Sequence, residues 1–405
     1  KSRVILEAIK SIREKIERNL ERIKSSSLRQ IEYILEFLKE TPENLSIGKT
    51  ARKLYSTFYA GKIKNAFIGY STNDAIRKGA ASGGLVTTLL INLLKNREIT
   101  HAITCKVVSE NGKFKFLTVA CTKPEEILDC QTSIYSDFNH ARETIKLISE
   151  LDGTLAIVAL PCQWKSINSY LEKFPHLKSK VKLKIGLWCG HATDRELIYD
   201  FFKLKRIQIP RIKKFYYRRG LWRGYTEVHL ESGEIVRIPF SSGYGLFQNL
   251  YIDCKKRCFS CMDHFAEGSD ISFGDAWLKE LKGKSVKYSM VIPFNDKGAN
   301  AVRMLDQSNK AKIFKVAPEL VVQSQKRAII WHTFGSSGRS RVAPLFGLRI
   351  KQPSNLKARW NDYVSAFLIL LSYRVFSGYL RKPLMHLPWQ INYIYMLVQK
   401  FFLNF

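Results

Sequence analysis

The sequence has few acidic residues for its length. Asp and Glu total 35 among 405 residues against 66 Lys and Arg, which gives a formal net charge of +31. This excess predicts affinity for polyanions, such as nucleic acid, an anionic membrane face, or an acidic partner or cofactor. A solvated, lysine-rich surface explains the charge equally well, because the basic residues are spread along the chain.

Signals for export, membrane insertion and nucleic-acid binding are also missing. The first residues are basic and amphipathic rather than apolar, and no uncharged apolar run reaches the length of a membrane span. We therefore expect a cytoplasmic chain, free or at the inner membrane face, in a compartment where disulfides are rare. Motifs of nucleic-acid-binding folds are absent, so nucleic acid is supported by charge alone and we do not expect it as a partner.

Cysteines are few but their positions are informative. Cys254, Cys258 and Cys261 lie within eight residues, and Cys162 and Cys189 each follow a predicted buried strand. In open α/β sheets ligands gather at the carboxyl ends of strands, so we expect the latter two thiols to face one crevice.

Thiols gathered from several elements suit an iron–sulfur cluster, whereas structural zinc sites usually use two compact cysteine pairs. We predict a [4Fe–4S] cluster bound by Cys162, Cys189, Cys258 and Cys261, with Cys254 as the alternate ligand. Zinc is the second interpretation. Inert buried thiols are the third, and they explain Cys105, Cys121 and Cys130 best.

A small-residue loop, residues 79–84, precedes a predicted helix over 85–94. Glycines allow close backbone approach and the amides at a helix start attract phosphate, although such loops are also common without a ligand. Asp270 and Asp275 flank a short strand where they could contact a flavin or serve as turn and cap residues. Arg forks in the 218–224 segment suit phosphate. The predicted cofactor-binding residues are Arg77, Ser82, Gly83, Gly84, Thr87, Arg219, Asp270 and Asp275.

The hydrophobic pattern predicts an α/β fold with α+β elements, divided into four parts. An amphipathic helical arm occupies residues 1–45, an α/β domain 60–200, a strand-rich domain with the cysteine trio 205–350, and an aromatic, basic helical tail 355–405. The arm, over residues 1–41, forms an oligomer contact or packs on its own domain. Residues 374–405 have the composition of a peripheral membrane contact, or of helices that cover the core.

Five segments, in this order along the chain, resemble the coenzyme F420 hydrogenase/dehydrogenase beta-subunit family. They are ASGGLVTTLL at 81–90, LPCQ at 160–163, IGLWC at 185–189, RGLWRG at 219–224 and CFSCMDHFAEGSDISFGD at 258–275. The resemblance covers roughly residues 60–345 and leaves the arm and the tail outside. The chain lacks the additional ferredoxin-like cysteine module that longer relatives carry.

The resemblance implies FAD, at least one [4Fe–4S] cluster, coenzyme F420 as substrate, and a redox partner protein or ferredoxin. We therefore expect a flavin- and iron–sulfur-dependent oxidoreductase that passes electrons between coenzyme F420, or a related hydride carrier, and a cluster or protein acceptor. The alternative is an accessory iron–sulfur or zinc protein at a membrane face in surface glycan or lipid biosynthesis.

Overall fold

The computed structural model describes residues 47–221, 223–281, 286–352, 355–376 and 381–403. The predicted arm, residues 1–45, and its oligomer contact lie outside these residues, as does Trp222. Within them, the predicted α/β fold with a helical C-terminal tail is confirmed.

A mixed sheet of eight strands forms the centre of the fold. Its strands, in chain order, are β1 Ala66–Ser71, β2 His101–Glu110, β3 Lys113–Cys121, β4 Leu155–Ala159, β5 Val181–Leu187, β9 Ile271–Asp275, β10 Ser289–Pro293 and β11 Ala311–Val316. Their spatial order is β11-β1-β10-β9-β5-β4-β2-β3. A second sheet of three antiparallel strands contains β6 Ile212–Arg219, β7 Tyr225–Leu230 and β8 Ile235–Pro239.

Helices surround the two sheets. In chain order they are α1 Lys49–Phe58, α2 Asp74–Gly79, α3 Leu85–Lys95, α4 Pro124–Asp129, α5 His140–Glu150, α6 Pro161–Leu171, α7 Pro175–Lys180, α8 Glu196–Leu204, α9 Tyr244–Asn249, α10 Asp296–Gln307, α11 Pro318–His332, α12 Phe334–Val342, α13 Trp360–Phe376, α14 Arg381–Met385 and α15 Trp389–Leu403. Short 3-10 segments include Lys256–Ser260 and Ala343–Phe346.

The middle of the large sheet is parallel and its margins are antiparallel. Strands β2, β4, β5 and β9 run parallel, whereas β1 pairs antiparallel with β10 and β11. The sheet therefore joins strands from both the 60–200 and the 205–350 segments, and the boundary between these two domains remains a prediction.

Both faces of the sheet are buried. Alternate residues of a strand point to opposite faces. Accordingly, Ile68 and Met290 enter one hydrophobic cluster, whereas Phe67 and Val291 enter another. A third cluster, rich in aromatic rings, lies between the small sheet and α8 and α9. This packing fixes the carboxyl ends of the parallel strands, where the candidate site lies.

Candidate cofactor groove and cysteine site

Cys162 and Cys189 follow neighbouring parallel strands. β4 and β5 pair in parallel register, with Ala159 opposite Gly186. Cys162 is the second residue of α6, which begins directly after β4, and Cys189 lies two residues beyond β5. The two thiols therefore emerge at the same edge of the sheet, as the sequence predicts.

The cysteine trio meets the same edge. The 3-10 segment Lys256–Ser260 carries Cys258 and is followed by Cys261. Cys189 lies within electrostatic range of Cys162, Cys258 and Cys261, while Cys254 contacts Cys258 directly. All five candidate thiols are therefore brought into one neighbourhood, which is named here the cysteine site.

Burial holds most of these thiols protonated. It raises the pKa of Cys189 and Cys254 well above the ordinary value and that of Cys261 to about 12. Cys258 is the exception, because a hydrogen bond from Cys254 and one from the Ala192 amide lower its pKa to about 7. Cys258 is thus the thiol that most readily becomes a thiolate.

Two arginines flank the cysteine site. Arg257 binds the Asp137 carboxylate and lies close to Cys162 and Cys258, where its charge favours the thiolate forms. Arg339 is fully buried; its Nη2 atom donates to the carbonyls of Phe259 and Trp331 at 3.0 and 2.8 Å. Positive charge on both sides suits a site that gathers several thiolates.

A single metal ion would need its ligands closer together than these thiols lie. In the part of the chain that the structure describes, no three His, Cys, Asp or Glu side chains are arranged to hold one ion. Cys121 and Cys130, whose sulfurs are 3.8 Å apart, lie on β3 and after α4 with Cys105 beside them. These three thiols form a separate group outside the cysteine site.

A shallow, open groove with a cavity volume of about 30 Å³ lies near the cysteine site. Its lining comes from the small-residue loop, the turn after β6, the end of β9 and the segment before β10. The lining residues are Ala81, Ser82, Arg218, Gly220, Leu221, Arg223, Asp275, Ala276, Trp277, Leu281, Val286, Lys287 and Tyr288.

The small-residue loop is held tightly against the sheet. Ser289 Oγ accepts a hydrogen bond from the Gly83 amide at 2.9 Å and lies 2.8 Å from Ser82 Oγ. A Cβ at Gly83 would lie 2.6 Å from the Gly69 carbonyl oxygen, so only glycine fits. Gly84 has φ +81° and begins α3. The Gly83 amide is therefore used within the protein, and its glycine serves close packing.

Four of the predicted cofactor-binding residues have protein partners outside the groove. Arg77 donates to the Ser71 carbonyl and pairs with Asp74, and Thr87 accepts from Gln131. Arg219 binds Glu227 and lies over the Tyr216 ring. Asp270 accepts from the Lys184 amide and from Asn295 Nδ2, both at 2.8 Å. Only Ser82 and Asp275 of the predicted set line the groove.

Sequence reasoning placed Arg218 in a segment that suits phosphate but named Arg219 as the cofactor-binding residue, and it missed Lys287. Arg218 is buried, binds Asp275 and the Ala81 carbonyl, and has an Nε atom without a hydrogen-bond partner among the described residues. Lys287 donates to the Ala80 carbonyl, and burial, with repulsion from Arg218, lowers its pKa to about 8. Successive side chains of a strand point to opposite faces, so the strand pattern of β6 could have distinguished Arg218 from Arg219. No pattern in the sequence marks Lys287.

A series of polar contacts links the groove to the cysteine site. Gln325 Nε2 donates to the Asp275 carbonyl at 2.7 Å, and its Oε1 atom lies 3.3 Å from His264 Nε2. The other ring nitrogen of His264 is 3.0 Å from the Cys189 carbonyl oxygen. Tyr135 is within electrostatic range of Asp275 and Cys189 as well. The groove and the thiols are therefore adjacent parts of one site.

Two models of known protein families match the part of the chain that contains this site. Residues 66–146 match the family described as coenzyme F420 hydrogenase/dehydrogenase, beta subunit N-term, and residues 152–319 match the family that describes the C terminus of the same beta subunit. No curated protein matches the sequence. A solved chain from the xenon-derivatised F420-reducing [NiFe] hydrogenase complex of Methanosarcina barkeri has a similar fold. Its TM-score is 0.54 at 17% identity, over 72% of this chain and 97% of that chain.

The two family matches are consecutive, and together they contain β1 to β11, the groove and the cysteine site. The chain therefore belongs to the coenzyme F420 hydrogenase/dehydrogenase beta-subunit family, and is an oxidoreductase subunit of that type.

Proposed function

We propose that the chain is a flavin- and iron–sulfur-dependent oxidoreductase. It would pass electrons between coenzyme F420, or a related hydride carrier, and a cluster or protein acceptor. The observation that carries the proposal is the adjacency of groove and cysteine site through Asp275, Gln325, His264 and Cys189. When bound, FAD would convert a two-electron hydride into single electrons and a cluster would accept them.

The cysteine site suits a [4Fe–4S] cluster better than zinc. Zinc needs four sulfurs about 2.3 Å from one ion, whereas each thiolate of a cluster binds a different iron and the sulfurs lie farther apart. Among the described residues, no three candidate ligands are arranged to hold one ion, yet the five thiols lie near one another. We propose Cys162, Cys189, Cys258 and Cys261 as the ligands. Cys254 would then donate its hydrogen bond to Cys258.

The groove suits the flavin. Arg218 offers a guanidinium group, Trp277 a flat aromatic surface, and the loop around Ser82 and Gly83 a close backbone wall. Lys287 adds a cationic donor at the same wall. These residues would bind and orient the cofactor, while Arg77, Thr87, Arg219 and Asp270 would support the groove from behind through their protein partners.

An anionic tail on the hydride carrier would find positive charge next to the groove. Arg223 lines the groove, and Arg327 of α11 and Lys400 of α15 lie within electrostatic range of it. Among the described residues, no carboxylate lies within ion-pair distance of these three. Burial and the two guanidinium groups lower the pKa of Lys400 to about 7. A phosphate or carboxylate there would relieve this repulsion.

The acceptor is proposed to be a redox partner protein or ferredoxin. The fold is that of a chain from a multi-subunit hydrogenase complex, which favours function beside partner subunits. Mixing the anaerobically purified chain with reduced coenzyme F420 tests the proposal. Rapid bleaching of the flavin bands, followed by cluster reduction, is expected. A flavin-loaded and iron-loaded chain that no hydride carrier reduces would contradict it.

A further inference from the structure

The last helix of the fold exposes apolar side chains and buries two amides. α15 exposes Ile391, Ile394, Leu397, Val398 and Phe401, with Ile394 61% exposed. At 3.6 residues per turn these five side chains fall within an arc of about 120°. The opposite side, which faces the protein, buries Asn392 and Gln399 beside Met396 and Leu403.

The buried polar side chains hold this orientation. Asn392 Nδ2 donates to the Leu384 carbonyl at 3.1 Å. Gln399 Nε2 donates to the Leu368 carbonyl at 3.2 Å and to Ser372 Oγ at 3.0 Å. Turning the helix over would bury the apolar arc but would break these bonds, and unsatisfied buried amides are costly. The exposed apolar arc is therefore a fixed feature of the fold.

The neighbouring helix also exposes large apolar side chains. In α13, Trp360 is 66% exposed and Phe367 is exposed too, while the buried side mixes polar residues with apolar ones: Asn361, Asp362, Ser365, Ala366, Ile369, Leu370, Ser372 and Phe376. Each exposed ring contacts a half-buried one: Trp360 lies 6.2 Å from Phe402, and Phe367 lies 5.2 Å from Phe346, measured between ring centres. Leu345, beside Phe346, is 75% exposed. We name Leu345, Trp360, Phe367, Ile391, Ile394, Leu397, Val398 and Phe401 the apolar face.

The chain around the apolar face carries charge of one sign. Of the twelve Lys and Arg between residues 320 and 405, Arg339 is buried beside the cysteine site and Arg327 and Lys400 lie near the groove, which leaves nine against a single acidic residue, Asp362. That carboxylate is neutralised by Arg359, whose Nε donates to it at 2.8 Å. Basic residues around an apolar surface are complementary to anionic lipid headgroups, and each contributes about 1 kcal/mol near such a membrane.

We propose that the apolar face docks the protein on a bilayer that contains anionic lipids, with α13 and α15 lying in the plane of the interface. None of the described helices has both the length and the hydropathy required to traverse a bilayer. An apolar arc opposite a hydrogen-bonded polar side is typical of helices whose outer solvent is hydrocarbon. Trp360 and Trp389, both exposed, lie at the starts of α13 and α15 and suit the headgroup boundary.

A protein partner fits this surface less well. Protein interfaces carry about one hydrogen bond per 100–200 Å², and their donors and acceptors are spread among apolar contacts. Beyond Gln390 in its first turn, the apolar arc of α15 offers only hydrocarbon side chains, so a protein partner would find few polar groups there. The proposal is independent of the flavin and the cluster, because it uses none of the groove or cysteine-site residues.

Flotation of the full chain with phosphatidylcholine vesicles, with and without phosphatidylglycerol, tests the docking. We expect binding to the anionic vesicles that weakens as salt is raised. The triple variant Ile394→Gln, Leu397→Gln, Val398→Gln should lower the vesicle affinity about tenfold or more, since three apolar side chains lose their insertion. A matched control, Leu128→Gln with Ile235→Gln, changes two exposed apolar residues outside the face and should bind as the parent does.

Circular dichroism and thermal melting of both variants confirm that the fold is kept. Equal vesicle binding by the parent and the triple variant would overturn the proposal. So would a parent chain that ignores anionic vesicles and forms a dimer that the triple variant abolishes, because a second copy would then be the occupant. The proposal would also be overturned if vesicles bound only a chain that lacks residues 1–46, because that segment would then be the occupant of the apolar face.

Discussion

Arg218 Nη2 lies 2.6 and 2.8 Å from the two carboxylate oxygens of Asp275. This pair joins the small sheet to the end of β9, and both residues line the groove. Arg218 also donates to the Ala81 carbonyl at 3.0 Å, so one side chain fixes three walls of the groove at once.

Replacing Arg218 with Met should therefore destabilise the fold and empty the groove. Removing one member of a buried pair costs about 3 kcal/mol, the low end of the usual range because Asp275 keeps some solvent contact. Urea unfolding and flavin content measure the two effects. Arg237→Met is the control, because it removes an exposed partner of Glu227 and should cost much less. Equal losses in the two variants would contradict the role given to Arg218.

We predict that iron binding depends on four of the five thiols in the cysteine site. Serine in place of Cys162, Cys189, Cys258 or Cys261 should lower the iron and sulfide content sharply, because each thiolate holds one iron. Cys254→Ser should keep the iron, because Cys254 is not among the four proposed ligands and the serine hydroxyl can still donate to Cys258. Cys105→Ser is the control in the separate thiol group. Loss of iron in Cys254→Ser but not in one of the other four would reassign the ligands.

We predict that any side chain added at Gly83 would clash with the backbone around the small-residue loop. An added Cβ would lie 2.6 Å from the Gly69 carbonyl oxygen and 2.7 Å from the Ser289 amide, both parts of the backbone. Gly83→Ala should displace the loop, cost about 1–3 kcal/mol of stability and weaken flavin binding. At Gly48 the new Cβ would have its nearest neighbour at 3.9 Å, so Gly48→Ala should leave both unchanged. Denaturant midpoints and flavin dissociation constants give the comparison.

We predict that the affinity for the cofactor depends on pH through Lys287. Its pKa is lowered to about 8 by burial and by Arg218, so its ammonium is charged below that value and neutral above it. An anionic flavin favours the charged form, and its dissociation constant should rise as pH passes upward through 8. Lys287→Arg stays charged throughout and should remove the dependence. A parent chain whose flavin affinity is flat across this range would exclude Lys287 from the contact.

Much of the scaffold follows from local patterns. Buried runs predict β4 and β5, and a parallel pair of strands places Cys162 and Cys189 at one edge, as found. The glycine pair at 83 and 84 also begins a helix as expected. These features depend on neighbours in sequence and on the fixed period of a strand, so the sequence contains them.

The partners of individual side chains do not follow in this way. The sequence does not distinguish Asp270 from Asp275, since each lies at one end of β9. In the structure Asp270 accepts a hydrogen bond from the Lys184 amide, whereas Asp275 lines the groove. Arg219 turns toward Glu227, while the buried donor in the groove is its neighbour Arg218. Lys287 reaches the groove because β10 and β9 are adjacent and antiparallel. Such assignments depend on contacts between distant segments, which no local pattern contains.

The most direct test of the account is the absorption spectrum of the chain purified without oxygen, with iron, sulfide, zinc and flavin measured on the same sample. We predict flavin bands above a broad iron–sulfur shoulder, about four irons per chain as a [4Fe–4S] site requires, and no stoichiometric zinc. A colourless chain, or one that holds zinc in place of iron, would contradict the assignment of the groove and the cysteine site to electron transfer.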